Sequence, residues 1–434
     1  MKIATDKELT ASELGNLLRA GERDAEHKRQ LKRYYLGEMA IGWKVGRTNT
    51  DINNRLTSNY CSYIVNTATG FFLGKPLTYQ SARDISGLLD IFKYNDESAH
   101  NLQLAEEAAI TGAAYEILYL DGDAQIRLAC VPSEQIILVT DATLEENVRY
   151  AVRRYGTQNF DGTRGSQFVD VYDAQNISRY SFDGALKLIE RQRHYFDDVP
   201  IVEYANNGAR RGDFEDVLSL VDAYNKAQSL TLDDMEDFTD AFLILKGLGG
   251  TTPEDVRELR RNKVISLDDG GDAQWLIKNL NDSYIENMKS RLQRDIHKFS
   301  NVPDMTDENF AGNVSGVAIA YKLIGLEHIR SRKEREFKKG LQRRIELIGG
   351  VMKLKSRQPI DFRDVTMQFT ANLPQDVQAL AQVVNQLDGL VSRKTLLGLL
   401  PFVEDVDGEL KEMEEDGRDY EHADYEHADY EHAD

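Results

Sequence analysis

Apolar residues recur along this chain with two different periods, and the switch between them divides it. Over residues 9–35, leucines and tyrosines fall at helical spacing among many charges, which predicts a helix. Short apolar runs follow at 115–120, 126–131 and 136–140, punctuated by Asp121-Gly122-Asp123 and Pro132-Ser133, and again at 150–155, 168–172 and 178–189. They predict a small antiparallel sheet, with a hairpin turn at Phe182-Asp183-Gly184.

After Asp213 the helical period takes over. Phe214, Val217, Leu220, Val221 and Tyr224 predict a long amphipathic helix to about Asp240. A strand is expected at 242–246, ended by Gly247-Leu248-Gly249-Gly250. A short helix opened by Thr252-Pro253-Glu254-Asp255 and a strand pair at 264–267 and 273–277 should follow. A compact α/β insert thus separates the first long helix from a second. That second helix starts near Asp282-Ser283, carries Ile285, Met288, Leu292, Ile296 and Phe299 on one face and stops before Val302-Pro303.

A polar segment, 304–316, precedes a third helix expected at 317–348, about 48 Å long and closed by Gly349-Gly350. A strand at 365–370, a helix at 375–390 and a short helix capped by Ser392 complete the pattern. The fold class is α+β.

Composition narrows the function. With 434 residues, 41% of them hydrophobic, the chain can bury more than one core, so a disordered chain is excluded. It has no apolar run of about 18 residues, and its first six residues lack the order of a secretory signal. A soluble protein, intracellular when made and without a membrane partner, is expected. Cys61 and Cys130 have no nearby His, so two buried thiols are expected rather than a disulfide or zinc site.

A net charge of −20 argues at first against a nucleic-acid partner. Its distribution changes that reading. Residues 403–434 hold 15 acids against Lys411 and Arg418, a net of −13, which leaves −7 for the 402 residues before them. Within this tail, 420–434 repeat Tyr-Glu-His-Ala-Asp three times, a period that suits neither helix nor strand, so disorder is expected.

Three segments invite a chemical reading. Gly70-Phe71-Phe72-Leu73-Gly74-Lys75-Pro76 imitates a phosphate-binding loop, but its glycines are one residue too close and Pro76 replaces the hydroxyl that would hold magnesium. A buried helix end followed by a Gly turn explains it better. Asp233, Asp234, Glu236, Asp237 and Asp240 could suggest a metal-dependent nuclease; they spread over more than one helix face, so a solvated helix end is expected. Between Lys322 and Arg344 the third long helix holds nine Lys or Arg interleaved with Glu327, Glu334 and Glu336. It reads either as a salt-bridged surface helix or as a surface for subunit contacts or DNA approach. No catalytic motif appears, and no catalytic residue, cofactor or metal ligand is assigned.

Several blocks occur in a fixed order. Asn53-Asn54-Arg55-Leu56, Asn59-Tyr60-Cys61, Tyr63-Ile64-Val65 and Gly74-Lys75-Pro76-Leu77-Thr78-Tyr79 form the first. Val199-Pro200-Ile201-Val202-Glu203-Tyr204, Asn206-Asn207, Gly212-Asp213-Phe214-Glu215 and Leu220-Val221-Asp222-Ala223-Tyr224-Asn225 form the second. Asp237-Phe238-Thr239-Asp240-Ala241 and Ser392-Arg393-Lys394-Thr395-Leu396-Leu397 follow. With the succession helix, insert, helix, polar loop and long helix around them, they resemble the portal proteins of tailed phages of Gram-positive bacteria over about residues 10–415. Gly208-Ala209-Arg210-Arg211 departs from the acidic pair often found there in relatives, and the repeat tail has no counterpart in the family.

The resemblance implies a portal fold in a ring, typically a dodecamer, around a channel through which double-stranded DNA is packaged and ejected. It implies a wing at 1–212, a first stem helix at 213–241, a clip at 242–281 and a second stem helix at 282–303. A tunnel loop at 304–316, more wing with the long helix at 317–370, crown helices at 371–416 and the acidic tail at 417–434 would complete it. Implied partners are the large terminase subunit, a head-tail connector or adaptor, and the major capsid and scaffold proteins. The implied location is the portal vertex of the virion, after assembly in the bacterial cytoplasm. Lys289, Arg291, Arg294 and Lys298 are then the candidates for lumen-facing cations, and Asn309, Phe310 and Asn313 for the loop residues nearest DNA. The competing readings are another head-morphogenesis or neck protein, and the nuclease.

Overall fold

The computed structural model describes residues 9–44, 53–237, 242–246, 252, 272–276, 282–306, 316–355, 360–372, 377–398, 400, 403, 406 and 408–414. The first predicted helix is α1 (Ala11–Tyr35), opened by a capping box in which the Thr10 hydroxyl accepts from the Glu13 N–H and the Glu13 carboxylate accepts from the Thr10 N–H. Next come α2 (Tyr60–Leu73), strand β1 (Thr78–Gln80), α3 (Ser86–Tyr94) and α4 (Glu97–Thr111). Helix α2 buries Cys61, Ile64, Val65, Ala68, Phe71 and Phe72. These positions recur at three- and four-residue spacing along one side, while Asn66 on the other is exposed.

The predicted strands form two sheets rather than one. Strands β2 (Ala113–Leu120), β3 (Ile126–Val131), β4 (Ile136–Thr140), β5 (Val148–Gln158), β6 (Arg164–Tyr172), β7 (Asn176–Phe182), β8 (Leu186–Arg193) and β9 (Ile201–Ala205) follow in order. One sheet runs β3-β2-β9 and the other β4-β5-β6-β7-β8, antiparallel throughout. The division falls at Pro132-Ser133, where a 3-10 turn leads the chain out of the first sheet and the Ser133 N–H is held by Glu107 at 2.8 Å. The β7–β8 hairpin turns at Phe182-Asp183-Gly184 as expected, with Gly184 at φ +85.

Strand β2 is covered on both faces. Ala113, Tyr115 and Ile117 pack with Ala151 and Tyr172 of the five-stranded sheet, while Ala114 and Leu118 pack with Leu104 of α4 and with the third long helix. This sandwich is the centre of the molecule.

Beyond it lie α5 (Leu218–Asp237), β10 (Phe242–Lys246), β11 (Asp272–Leu276) and α6 (Asp282–Ser300). Helices α5 and α6 pack against each other, and β10 pairs with β11 in antiparallel register, Phe242 opposite Leu276. The expected short helix after Thr252 and the strand at 264–267 fall outside the described residues.

The third long helix departs from expectation in two ways. It is divided at Leu323 into α7 (Gly316–Lys322) and α8 (Ile324–Leu354). At the division Gly325 lies against the Asn301 carbonyl, where a Cβ would come within 2.7 Å. The helix also continues through Gly349-Gly350. A Cβ on Gly349 would stand 2.6 Å from the Ile360 carbonyl, so glycine there permits close packing rather than termination. Strand β12 (Thr366–Gln368) pairs with β1, and α9 (Val377–Leu387) and α10 (Arg393–Leu397) follow, the latter capped by Ser392, which accepts from the Thr395 N–H. Among the described residues no helix is long and apolar enough to cross a membrane.

Candidate functional site

Helix α6 presents its predicted cations unequally. Arg291, Arg294 and Lys298, spaced three and four apart, share one exposed face. None is tightly held: Arg291 stands 3.7 Å from Asp295, Arg294 donates to the Ser290 carbonyl, and the Lys298 ammonium lies 5.6 Å from the Phe299 ring centre. Lys289 lies on the other side, mostly buried, and pairs with Glu286 at 2.8 Å. Met288 and Phe299, expected on the buried face, are exposed at 46% and 54%. They border the cationic stripe, while Ile296 is buried.

The turn after α6 is fixed from several sides. Asn301 adopts φ +58. The Tyr63 hydroxyl, on α2, donates to the Pro303 carbonyl at 2.9 Å and accepts from the Met305 N–H at 2.8 Å. His297 sits edge-on to the Tyr60 and Tyr63 rings with Nδ1 2.9 Å from the Val302 carbonyl. Asp304 accepts from Gln293 and from the Thr306 N–H and hydroxyl. Burial would raise its carboxyl, but the Thr306 hydrogen bonds and His297 hold it below the usual carboxylate range. Asn309, Phe310 and Asn313 lie outside the described residues.

Eight of the nine cations of the basic helix, those on α8, sort by environment. Lys333 and Arg344 are core residues, Lys333 pairing with Asp213 at 2.7 Å. Arg330 bridges Glu327 and Glu334, Lys339 pairs with Glu336, and Arg343 joins Asp198 to Glu346. Arg332, Arg335 and Lys338 have no carboxylate partner among the described residues. Neither reading of the sequence foresaw the buried pair.

Arg344 is fully buried in a polar cluster. Its guanidinium contacts Glu116 of β2 at 3.0 and 2.9 Å, Glu97 at 3.1 Å and Asn101 at 2.9 Å; His100 and the Tyr204 hydroxyl complete the shell of Glu116 at 2.7 and 2.9 Å. Burial alone would raise the Glu116 carboxyl, yet Arg344 and His100 hold it well below its ordinary value. The signal was present in the sequence: Arg344 sits between Leu341, Ile345 and Ile348 on an apolar face, and Glu116 interrupts an apolar strand.

The acidic cluster on α5 departs from a solvated helix end at Asp233, while Glu236 is exposed and Asp240 lies outside the described residues. Asp233 is 1% exposed, pairs with Lys44 and accepts from the Asn54 N–H at 2.7 Å; Glu236 accepts from the Asn54 side chain. These carboxylates tie the segment after residue 52 to α5. Among the described residues no group of three or more His, Cys, Asp or Glu is placed to hold a metal. The imitation phosphate loop is the end of α2, with Gly74 packed so that a Cβ would meet the Gly70 carbonyl. Cys61 is buried and Cys130 only partly so; burial pushes both thiols up to about 12.

Comparison with known proteins adds an independent observation. Residues 14–422 match the family model described as phage portal protein, SPP1 Gp6-like. The portal protein of Bacillus phage SPP1 is 24% identical over 427 residues, covering 92% of this chain and 82% of the relative. The portal protein of Clostridium phage phiCD119 is 24% identical over 410 residues, covering 87% and 90%. A chain from the neck of a native GTA particle, computed with C12 symmetry, matches with TM-score 0.45 and 13% identity over 79% of this chain and 89% of that one.

Proposed function

Since this chain belongs to the SPP1 Gp6-like family of phage portal proteins, we propose that its copies form a ring, with α5 and α6 as the stem and Arg291, Arg294 and Lys298 toward the lumen. Portal proteins are structural components of the phage particle. The observation that carries the lumen assignment is the exposed stripe itself: three cations at helical spacing, none locked in a close ion pair. Such a face offers mobile, screened contacts to a passing polyanion. Strong binding to every phosphate would stall the strand, so a mildly acidic body with few cations suits passage better than affinity. Lys289, turned the other way, leaves the set.

On this reading the two sheets with α1 to α4 and α8 make the wing at 1–212 and 317–370, β10 and β11 belong to the clip at 242–281, and α9 and α10 to the crown at 371–416. The tunnel loop at 304–316 springs from the turn held by Tyr63. Double-stranded DNA would pass through the ring at the portal vertex of the virion, after assembly in the host cytoplasm. The large terminase, a connector protein, and the capsid and scaffold proteins would dock outside. Electron microscopy of the purified chain tests the reading. A ring with a hole wide enough for B-form DNA is expected; a monomer under all conditions, with no ring in assembled particles, overturns it.

A further inference from the structure

The cations on the solvent side of α8 lie together. Arg332, Arg335 and Lys339 recur at three and four residues with His328 on one exposed face, and Lys338 flanks them. From Arg332 to Lys339 the helix rises about 10 Å. The acids interleaved in this helix are already used: Glu327 and Glu334 by Arg330, Glu346 by Arg343, and Glu336 by Lys339. Arg332, Arg335 and Lys338 therefore present positive charge to solvent without a carboxylate partner among the described residues.

The opposite charge is concentrated elsewhere in the same chain. Residues 415–434 hold nine carboxylates against Arg418, and their acids recur every two or three residues beside Tyr420, Tyr425 and Tyr430. We infer that segment 415–434 docks on the face of α8 formed by Arg332, Arg335, Lys338 and Lys339. Carboxylates recurring every two or three residues match cations spaced along a helix, and tyrosine rings stack readily on guanidinium planes. The inference does not depend on ring formation.

Carbodiimide cross-linking of the full chain, read by mass spectrometry, tests it. Carboxylates of 415–434 should form amide links to the amines of Lys338 and Lys339 at low salt and lose them as ionic strength rises. The Arg332→Gln/Arg335→Gln variant keeps both lysines, and its links should fall about tenfold, as expected for removing two or three surface charge contacts. Both arginines carry no core contact, so an unchanged melting temperature controls for folding. Absence of links at low salt, or an equal yield in the variant, overturns the inference. So does protection of Lys338 and Lys339 from acylation only when a DNA duplex is added, which would make nucleic acid the occupant.

Discussion

Arg344 and Glu116, 228 positions apart, meet as a fully buried two-point ion pair that joins the long helix α8 to the central strand β2. Removing Arg344 leaves the buried Glu116 carboxylate with only His100 and the Tyr204 hydroxyl beside it. Arg344→Met should therefore destabilise the chain by about 3–5 kcal/mol, and Arg344→Met/Glu116→Gln should recover much of that loss. Denaturant unfolding of both variants measures the coupling; a double variant no better than the single would show that the pair does not act as a unit.

The same pair fixes an acid limit. The Glu116 carboxyl is depressed in the folded state from an ordinary 4.5 to about 2. A depressed carboxyl contributes stability above its unfolded value and loses it as pH falls toward the folded one. Melting temperature should drop between about pH 4.5 and 2, and the slope in that window should flatten in Glu116→Gln.

Tyr63 links helix α2 to the turn at Pro303 and Met305 through one hydroxyl. In Tyr63→Phe the ring packing against His297 remains and both hydrogen bonds go. A loss of about 1–2 kcal/mol is expected, with faster amide exchange at Met305. Exchange there as slow as in the parent chain would show that the turn is held by other contacts.

Gly340 is a packing position. A Cβ at Gly340 would come within 2.5 Å of the Tyr204 ring, itself fully buried. Gly340→Ala should cost about 1–3 kcal/mol despite alanine's better helix propensity; Gly15→Ala, with open space around it, should not. Thermal melts of the two compare them directly.

Arg291→Gln/Arg294→Gln/Lys298→Gln should leave ring assembly intact and lower the salt dependence of DNA contact, whereas Lys289→Gln should leave that dependence unchanged. Filter binding of duplex DNA to assembled rings across a salt series reads the slope, which should fall in proportion to the number of phosphates that the triple variant no longer neutralises. Equal slopes in the triple variant and the parent would remove these residues from the lumen.

What the sequence determined is the order and nature of the strongly patterned elements. The α1 helix with its capping box, the strands from β2 to β8, the helices α5 and α6 on either side of an insert, and the Ser392 cap all follow from local periodicity and cap chemistry, which nearest neighbours in the chain decide. The ordered blocks that carry the family resemblance are local as well. Tertiary structure decided the rest. Helix α2 carries its apolar positions at helical spacing, but what covers them, Leu31, Phe214 and Leu326 among others, is remote in sequence. Gly349-Gly350 looked like a stop and became a close contact, because Ile360 approaches there. Asp233, Lys333 and Arg344 carry charges that composition assigns to the surface; each is buried because a partner remote in sequence, Lys44, Asp213 or Glu116, neutralises it. The family was legible in short motifs, but which cations face outward depended on which side of α6 and α8 the core covered.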